Sequence, residues 1–328
     1  MEIFSLTTLI RFAICFIFPI FVSIFRGLNK ISALKRILLS IALFIPLCLQ
    51  AQDTFNPSLI GASEHHEIGL MVGVANYYGD LQQKLFPSYG YQPMAGIMYK
   101  YFMSPHVGLR FGASYTNLTA ADSMSNIPVD KARNLSFATH LFEFQGGVEI
   151  NFLPIEVMRH KATPYIFGGI AAFYTNPYAI DPEGNKVYLR PLSTEGEGLP
   201  SYPNRKQYSL VNMALPFGGG FKFFIGKTIM LTTEIGFRYT NTSHIDDVGS
   251  SYVNLDTLQK YKGTIARQMS YRGNELPSWD GVNPTYGNQR GDNTNDWYWY
   301  GNLTVTIFFR SFGNPKEYLK TKCPGFFR

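Results

Sequence analysis

The chain has 328 residues, of which 16% are aromatic and 16% charged, whereas an average soluble domain has about 25% charged residues. Residues 1–51 hold five of the 29 basic residues and one of the 23 acidic ones, so the remainder carries 24 basic against 22 acidic residues. This balance excludes the large basic surface of a nucleic-acid-binding protein. Past residue 50, no apolar run approaches the roughly 20 residues that a membrane-spanning helix needs.

The first 51 residues have the character of an export leader. A first apolar stretch is interrupted by Pro19, and a second one, at 37–49, follows the basic pair Lys35-Arg36. A basic start, an apolar run of about 13 residues and a small residue at the end make up a secretory signal peptide. We therefore predict a leader at 1–51, with cleavage after Ala51. A retained N-terminal membrane helix and an over-extended gene start are the alternatives.

From residue 67 onward, apolar and polar residues alternate with a period of two in stretches of about 10 residues. This alternation is the signature of a transmembrane β-barrel. In the last stretch, Trp299, Leu303 and Val305 share one face, while Asn302 and Thr304 share the other. We predict an all-β fold, an eight-stranded antiparallel outer-membrane β-barrel. Its strands are expected at 67–79, 92–102, 107–118, 137–151, 164–174, 211–225, 228–240 and 297–310.

The connections between the predicted strands alternate in length. The short ones are 103–106, 152–163 and 226–227; the long ones are 80–91, 119–136, 175–210 and 241–296. Outer-membrane barrels have short periplasmic turns and longer extracellular loops. We therefore predict long extracellular loops and periplasmic chain ends. The predicted parts are a periplasmic N-terminal segment at 52–66, a barrel at 67–310 and a periplasmic C-terminal tail at 311–328.

Charged side chains of the predicted strands lie on the face opposite the apolar one. A charge on the lipid-facing side near the bilayer midplane costs about 2–4 kcal/mol, so the charged face is expected to point inward. An eight-stranded barrel has an interior just wide enough for side chains. We therefore predict a charge network that fills the lumen and leaves no pore. Its members are Arg110, Glu143, Glu149, Lys222, Glu234 and Arg238.

Outside the strands, the sequence shows no pattern typical of catalysis or cofactor binding. His65-His66 are predicted to belong to a solvated terminus. The segment 292–296 has oxygen ligands at alternate positions, but it lacks the glycine and the distal glutamate of a calcium loop. Asp80, Asp246 and Asp247 are candidates for the bases of loops. We predict no catalytic, cofactor-binding or metal site, no cofactor and no enzyme.

Two further features lie in the last loop and the tail. Residues 254–269 show weak helical spacing, for which a short helix over the barrel mouth and a solvated loop both remain open. Cys15 and Cys48 lie in the leader, so the exported chain keeps only Cys323. In an oxidising compartment, a lone cysteine indicates either a disulfide with another protein or a free thiol.

A set of short strings gives a family resemblance. In order they are Asn-Tyr-Tyr-Gly-Asp-Leu at 76–81, Arg-Asn-Leu-Ser-Phe at 133–137, Pro-Tyr-Ile-Phe-Gly-Gly at 164–169, Leu-Pro-Phe-Gly-Gly-Gly at 215–220, Ile-Asp-Asp-Val at 245–248 and Lys-Cys-Pro at 322–324. With this set, residues 65–328 resemble the PorG-like outer-membrane barrels of the type IX secretion system of Bacteroidetes. The Asn-Thr-Ser-His string at 241–244 departs from the family pattern.

The resemblance implies a non-enzymatic envelope component that ties periplasmic ring proteins of the PorK and PorN type to the outer membrane. Protein transport and gliding motility belong to that system as a whole. Our leading hypothesis is therefore a structural anchor in contact with outer-membrane lipid, with Cys323 as a candidate for a disulfide to the ring. A small passive or ligand-binding channel and a surface adhesin using the 241–296 loop are the alternatives.

Overall fold

Long strands alternate an apolar face that is exposed outward with an inward face on which charged, polar and apolar side chains are buried. The computed structural model describes residues 65–153, 162–225 and 228–310. Its strands are β1 (His65–Tyr78), β2 (Gln92–Phe102), β3 (Val107–Ala121), β4 (Ser136–Asn151), β5 (Ala162–Thr175), β6 (Tyr178–Ile180), β7 (Lys186–Tyr188), β8 (Val211–Ile225), β9 (Ile229–Thr240) and β10 (Trp297–Arg310). Three short α-helices lie between them in the described residues: α1 (Pro128–Arg133), α2 (Leu255–Lys262) and α3 (Thr264–Ser270).

Eight of these strands close into an antiparallel barrel. Their order is β3-β2-β1-β10-β9-β8-β5-β4, and an additional pairing of β3 with β4 completes the circle. β1 pairs with β10 along its whole length, with His65 opposite Arg310. The predicted eight-stranded antiparallel barrel is therefore confirmed. The hairpin β6–β7 was not predicted, because each of its strands has only three residues and gives almost no alternation.

The outward face of the barrel is an apolar belt. Its exposed large apolar side chains include Ile68, Leu70, Val72, Ile97, Phe111, Phe144, Ile170, Phe221, Leu303, Val305 and Ile307. Closure leaves none of the eight barrel strands with an unpaired edge, and an apolar outer band then suits the hydrocarbon of a bilayer. The protein has the fold of an outer-membrane β-barrel. No helix among the described residues is long and apolar enough to cross a membrane.

Leu70 gives a direct test of the belt. Its side chain is 65% exposed on the outward face, six residues into β1. We expect Leu70→Arg to lower the free energy of unfolding in vesicles by about 2–4 kcal/mol, because the guanidinium must enter hydrocarbon near the midplane. Val129→Arg, at the most exposed apolar position of α1, is the matched control and is expected to change it by less than about 0.5 kcal/mol. Equal losses in the two variants, measured by urea titration, would contradict the belt.

The two rims of the barrel differ. The strand ends that the short connections 103–106, 152–161 and 226–228 join lie at one end, which we call the short-turn rim, and β1 begins and β10 ends there. The long connections 79–91, 122–135, 176–210 and 241–296 lie at the other end, the long-loop rim.

The first strand begins earlier than predicted. His65 and His66 were expected in a solvated terminus, and this expectation is wrong. The His65 ring is 2% exposed and lies 4.6 Å from the rings of both Phe102 and Phe308. The Nδ1 atom of His66 lies 2.9 Å from the Tyr99 hydroxyl. Two histidines at a strand start carry no period-two signal by themselves, so only the neighbouring strands reveal their packing.

The long loops fold together over the long-loop rim; we call this assembly the loop cap. The weak helical spacing at 254–269 becomes two helices, because Gly263 ends α2 with a φ of 88° that favours glycine. Asn254 caps the start of α2, where its side-chain oxygen accepts a hydrogen bond from the Thr257 amide. The cap has a small apolar core of its own, formed by Leu199, Val253, Leu258 and Ala266.

Candidate functional site in the lumen and the loop cap

A network of ion pairs crosses the part of the lumen near the short-turn rim. The Lys100 ammonium lies 2.7 Å from Glu149 Oε2 and 4.0 Å from Glu67 Oε2. Lys222 contacts the same two carboxylates, and its distance to Glu67 is 3.3 Å. Next to them, Arg110 donates two hydrogen bonds to Glu234, at 2.9 and 3.0 Å. These side chains are 8% exposed or less, so they fill the space rather than line a channel.

A second ion pair lies nearer the long-loop rim. Arg238 Nε is 3.2 Å from Glu143 Oε2, and the Tyr298 hydroxyl donates to the same oxygen at 2.6 Å. The guanidinium lies over the Tyr300 ring at 3.9 Å. Gly236 leaves room for it, since a Cβ at that position would stand 2.6 Å from Arg238 Nη1. Arg238 is therefore held on three sides.

The structure places all six residues of the predicted charge network in the lumen and pairs each of them. It adds Glu67 and Lys100, which the sequence analysis did not single out. Both follow the inward alternation of their strands, a signal that could have identified them. With these two included, the described strands bury four carboxylates and four cations, so the lumen is electrically balanced. Balance is what allows so many charges to be buried, because an unpaired ion in this space would be strongly destabilising.

Apolar side chains close the rest of the lumen. Inward residues of several strands form a single cluster, which includes Met71, Met94, Leu118, Leu141 and Phe173. Ile245, Val248 and Met269 of the loop cap belong to the same cluster and are at most 2% exposed. The underside of the cap therefore packs into the barrel mouth.

Side-chain bonds tie the long loops to one another. Arg133, from the second loop, donates to both oxygens of Asp122 at 2.7 and 2.8 Å and also to the backbone oxygen of Arg290 in the fourth. The Asp80 carboxylate, from the first loop, accepts the Asp292 amide at 3.1 Å. In the third loop, the backbone oxygen of Thr194 accepts the Ser270 hydroxyl at 2.7 Å. All four long loops are therefore held in one assembly.

The most concentrated charge in the cap surrounds Arg290, which is 2% exposed. Its guanidinium lies 3.0 Å from Glu195 Oε1 and 3.7 Å from Asp247 Oδ2. The Nε2 atom of His244 lies 3.7 Å from Glu195 Oε2. Glu197 lies beside them, and its Oε2 accepts the Glu195 amide at 3.2 Å. We call Glu195, Glu197, His244, Asp247 and Arg290 the Arg290 cluster.

The electrostatics of the Arg290 cluster separate its acids. Burial tends to raise the pKa of Glu195. The contact with His244, the charge of Arg290 and the hydrogen bonds from Ser250 and the Gly249 amide outweigh it and hold the pKa well below the usual range. Burial, together with the nearby Asp247 and Glu195 carboxylates, raises the pKa of Glu197 to about 7. Burial alone would lower the pKa of His244. Its contact with the Glu195 carboxylate raises the pKa by more than burial lowers it, so the net shift is upward.

A second acidic group lies where the cap meets β1 and β10. The Tyr77 hydroxyl is 2.8 Å from Asp246 Oδ2 and 2.6 Å from Asp296 Oδ1. Burial and the mutual repulsion of the acids raise the pKa values of both aspartates well above the usual range. Burial and Asp246 also raise the pKa of Asp80, to about 8. Because one hydroxyl proton cannot serve two carboxylates at once, the pair is best satisfied when one acid is protonated.

The three predicted loop-base residues are thus divided between two sites. Asp80 and Asp246 belong to the acidic group near Tyr77, and Asp247 belongs to the Arg290 cluster. In the segment 292–296, Asp292 Oδ1 accepts the Thr294 amide at 2.8 Å, while Asp296 Oδ2 accepts the Ile245 amide at 2.9 Å. Glu195, Glu197 and His244 were not predicted as a site, because no sequence spacing connects them. Cys323 lies outside the described residues.

The titration of these groups predicts that the closed cap is less stable at pH 8 than at pH 5. The folded cap keeps protons on Glu197 and Asp80 that the opened loops release from about pH 4–5 upward, so stability falls until the folded pKa values of about 7 and 8 are passed. The raised pKa of His244 acts in the same direction, because its favourable contact is lost as the imidazole deprotonates.

This pH dependence is measured by limited proteolysis of the long loops in the presence of a chelator, corrected for protease activity on the denatured chain. We expect cleavage to accelerate by at least about tenfold between pH 5 and pH 8. Glu197→Gln removes one of the titrating groups and is expected to flatten the profile. A cap that becomes more resistant as the pH rises would contradict the assignment.

Part of the chain matches a protein family, and several solved structures are similar to it. A family described as a domain of unknown function (DUF6089) matches residues 54–191. No curated protein matches the chain. Among solved structures, Neisserial surface protein A has a TM-score of 0.37 at 9% identity, with 74% of this chain and 97% of that chain covered. The outer membrane protein OprG from Pseudomonas aeruginosa has the same score and identity, with 76% and 97% covered. Likenesses of this size carry no argument about function.

Proposed function

We propose that this protein is a structural component of a type IX-like protein secretion machine, in which the barrel anchors a periplasmic ring assembly to the outer membrane. The observation that carries the proposal is the lumen, which balanced ion pairs and the underside of the loop cap fill. A barrel whose lumen is filled in this way is better suited to be a membrane anchor than a channel. The residues that remain available for partners are then those outside the barrel wall.

The arrangement of the rims supports this assignment. Short turns face the periplasm in outer-membrane barrels, and both ends of this barrel lie at the short-turn rim. With this orientation, the N-terminal segment and the tail at 311–328 are both periplasmic. The tail is the proposed contact with ring proteins of the PorK and PorN type, through Cys323 in particular.

Three of the strings that carry the family resemblance meet where the loop cap joins the end of β1. The Tyr77 hydroxyl, from the string at 76–81, donates to Asp246 of the string at 245–248. Arg133, from the string at 133–137, reaches the backbone oxygen of Asp80, from the first string, at 3.3 Å. Residues of these strings contact one another in the folded protein. These contacts support a common architecture with the PorG-like barrels more strongly than separate short sequence matches would.

The test of the anchor uses the tail. In native envelopes, the unmodified protein is expected to show a higher-mass species on non-reducing gels, and Cys323→Ser is expected to lose it. Deletion of 311–328 is expected to abolish secretion, while the barrel remains folded in detergent at room temperature. A tail deletion that secretes normally would overturn the proposed anchor. If the species is absent but the deletion blocks secretion, the contact is not a disulfide.

A small channel is the first alternative. It requires conductance above background when the purified full chain is reconstituted in planar bilayers. The filled lumen leads us to expect none. Stable conductance steps from the unmodified protein would favour the channel over the anchor.

The loop cap gives one observation in favour of a surface adhesin. The last long loop exposes three large apolar side chains: Trp279 (39%), Val282 (64%) and Tyr286 (62%). Apolar side chains exposed together on a loop are typical of a binding surface. Deletion of 276–288 distinguishes the two functions. If the protein is an adhesin, the deletion abolishes surface binding and leaves secretion intact. If it is the proposed anchor, the unmodified protein shows no surface binding and the deletion leaves secretion unchanged.

A further inference from the structure

We propose that the loop cap binds a divalent metal ion of the zinc class through Glu195, Glu197 and His244. Each of these residues offers one ligand atom, and the three atoms lie within 4.8 Å of one another. Two ligands bound to one zinc ion at about 2.0–2.2 Å are roughly 3.4 Å apart in a tetrahedral site. The side chains therefore need to move inward by about 1 Å or less to close around an ion.

Glu197 supplies an independent observation. Glu197 is 5% exposed. Its Oε1 atom has no hydrogen-bond partner, whereas Oε2 accepts a hydrogen bond from the Glu195 amide. Buried charged groups are paired or coordinate metals, because an unpaired oxygen has lost its water without replacement. A metal ion is the partner that this oxygen lacks.

The charge of the cluster is also incomplete. Glu195, Glu197 and Asp247 bring three carboxylates around the single guanidinium of Arg290. Arg205 reaches only the edge of the site, where it donates to the backbone oxygens of Glu195 and Ser251. A metal ion requires Glu197 ionised and His244 neutral. In that form an excess of negative charge remains with or without Arg205, and a divalent cation offsets it.

The donor set selects the class of metal. Calcium and magnesium take oxygen ligands, whereas an imidazole nitrogen beside carboxylates suits zinc and neighbouring transition metals. The His244 Nδ1 atom lies 3.0 Å from the Ser243 hydroxyl, which orients the ring and leaves Nε2 toward Glu195. The His244 side chain is 20% exposed, so an ion can reach the site from outside the cap.

The consequence concerns the two longest loops. Glu195 and Glu197 lie between β7 and β8, and His244 lies between β9 and β10. An ion bound by all three residues cross-links these loops and holds the cap closed. The inference is independent of the proposed anchoring role, since it depends only on the cap.

The test is a titration of the purified full chain in detergent, stripped with a chelator, with Zn²⁺ as the probe. Isothermal calorimetry is expected to give one ion per chain, and Zn²⁺ is expected to slow proteolysis of the long loops. Glu197→Gln and His244→Ala are each expected to weaken binding by at least about tenfold. His106→Ala, at an exposed turn of the opposite rim, is the matched control and is expected to bind as the unmodified protein does.

Three outcomes would overturn the proposal. The unmodified chain binds no Zn²⁺ at micromolar concentration, Glu197→Gln binds it with unchanged affinity, or Ca²⁺ binds more tightly than Zn²⁺. Glu197→Gln has nearly the shape of the original side chain and removes an uncompensated buried charge. It is therefore expected to fold, and it decides the question even where His244→Ala does not fold.

Discussion

Replacing Glu143 with leucine is expected to lower the free energy of unfolding of the barrel by about 3–5 kcal/mol, because it leaves Arg238 as a buried unpaired charge. Both side chains are 1% exposed, and Nε of Arg238 lies 3.2 Å from the carboxylate. The Tyr298 hydroxyl also loses its acceptor at 2.6 Å. The measurement is urea unfolding in lipid vesicles, followed by tryptophan fluorescence.

The double variant separates the value of this pair from the cost of breaking it. Glu143→Leu combined with Arg238→Met removes both charges, and it is expected to recover more than half of the lost stability. Arg267→Met is the control, since its partner Asp256 is 84% exposed and the contact is solvated. A double variant as unstable as Glu143→Leu alone would show that burial of the guanidinium is not the source of the loss.

Replacing Arg290 with methionine is expected to open the loop cap and to leave the barrel closed. The substitution removes the cation that pairs with Glu195 and Asp247 and a donor to the Ser270 backbone oxygen at 3.1 Å. Loss of one partner from a buried charge group costs about 3–5 kcal/mol. In the absence of divalent ions, cleavage of the long loops by a protease is therefore expected to rise by about 2 to 3.5 orders of magnitude, roughly one for each 1.4 kcal/mol.

The barrel itself provides the internal control for this variant. β1 to β5 and β8 to β10 are joined by an unbroken circle of backbone pairing that Arg290 does not touch. The migration of unheated samples on detergent gels is therefore expected to stay that of a folded barrel. Global unfolding, seen as loss of that migration together with loop cleavage, would contradict a cap that opens separately.

The sequence alone was enough to predict the eight strands of the barrel and their inward and outward faces. Side chains alternate between the two faces of any β-strand. One face of the last strand is therefore identified by Trp299, Leu303 and Val305, whichever strand lies beside it. The cost of a charge in lipid then directs residues such as Glu143 and Lys222 inward. Both arguments are local, and both agree with the structure. Trp299 shows their limit: the first long loop covers it, and its indole donates to the Leu85 backbone oxygen at 2.8 Å.

Only the tertiary structure decided which charges pair and how the long loops fold. Arg110 and Glu234 are 124 positions apart, and closure of the barrel, which no single strand encodes, brings them within 3.0 Å. The Arg290 cluster is still further from prediction, since loops have no period that relates Glu195 to His244 or Arg290. Interlocking of the four long loops over a filled lumen places those residues together. The sequence therefore determined the wall of this barrel, and the packing of its loops determined the polar sites above it.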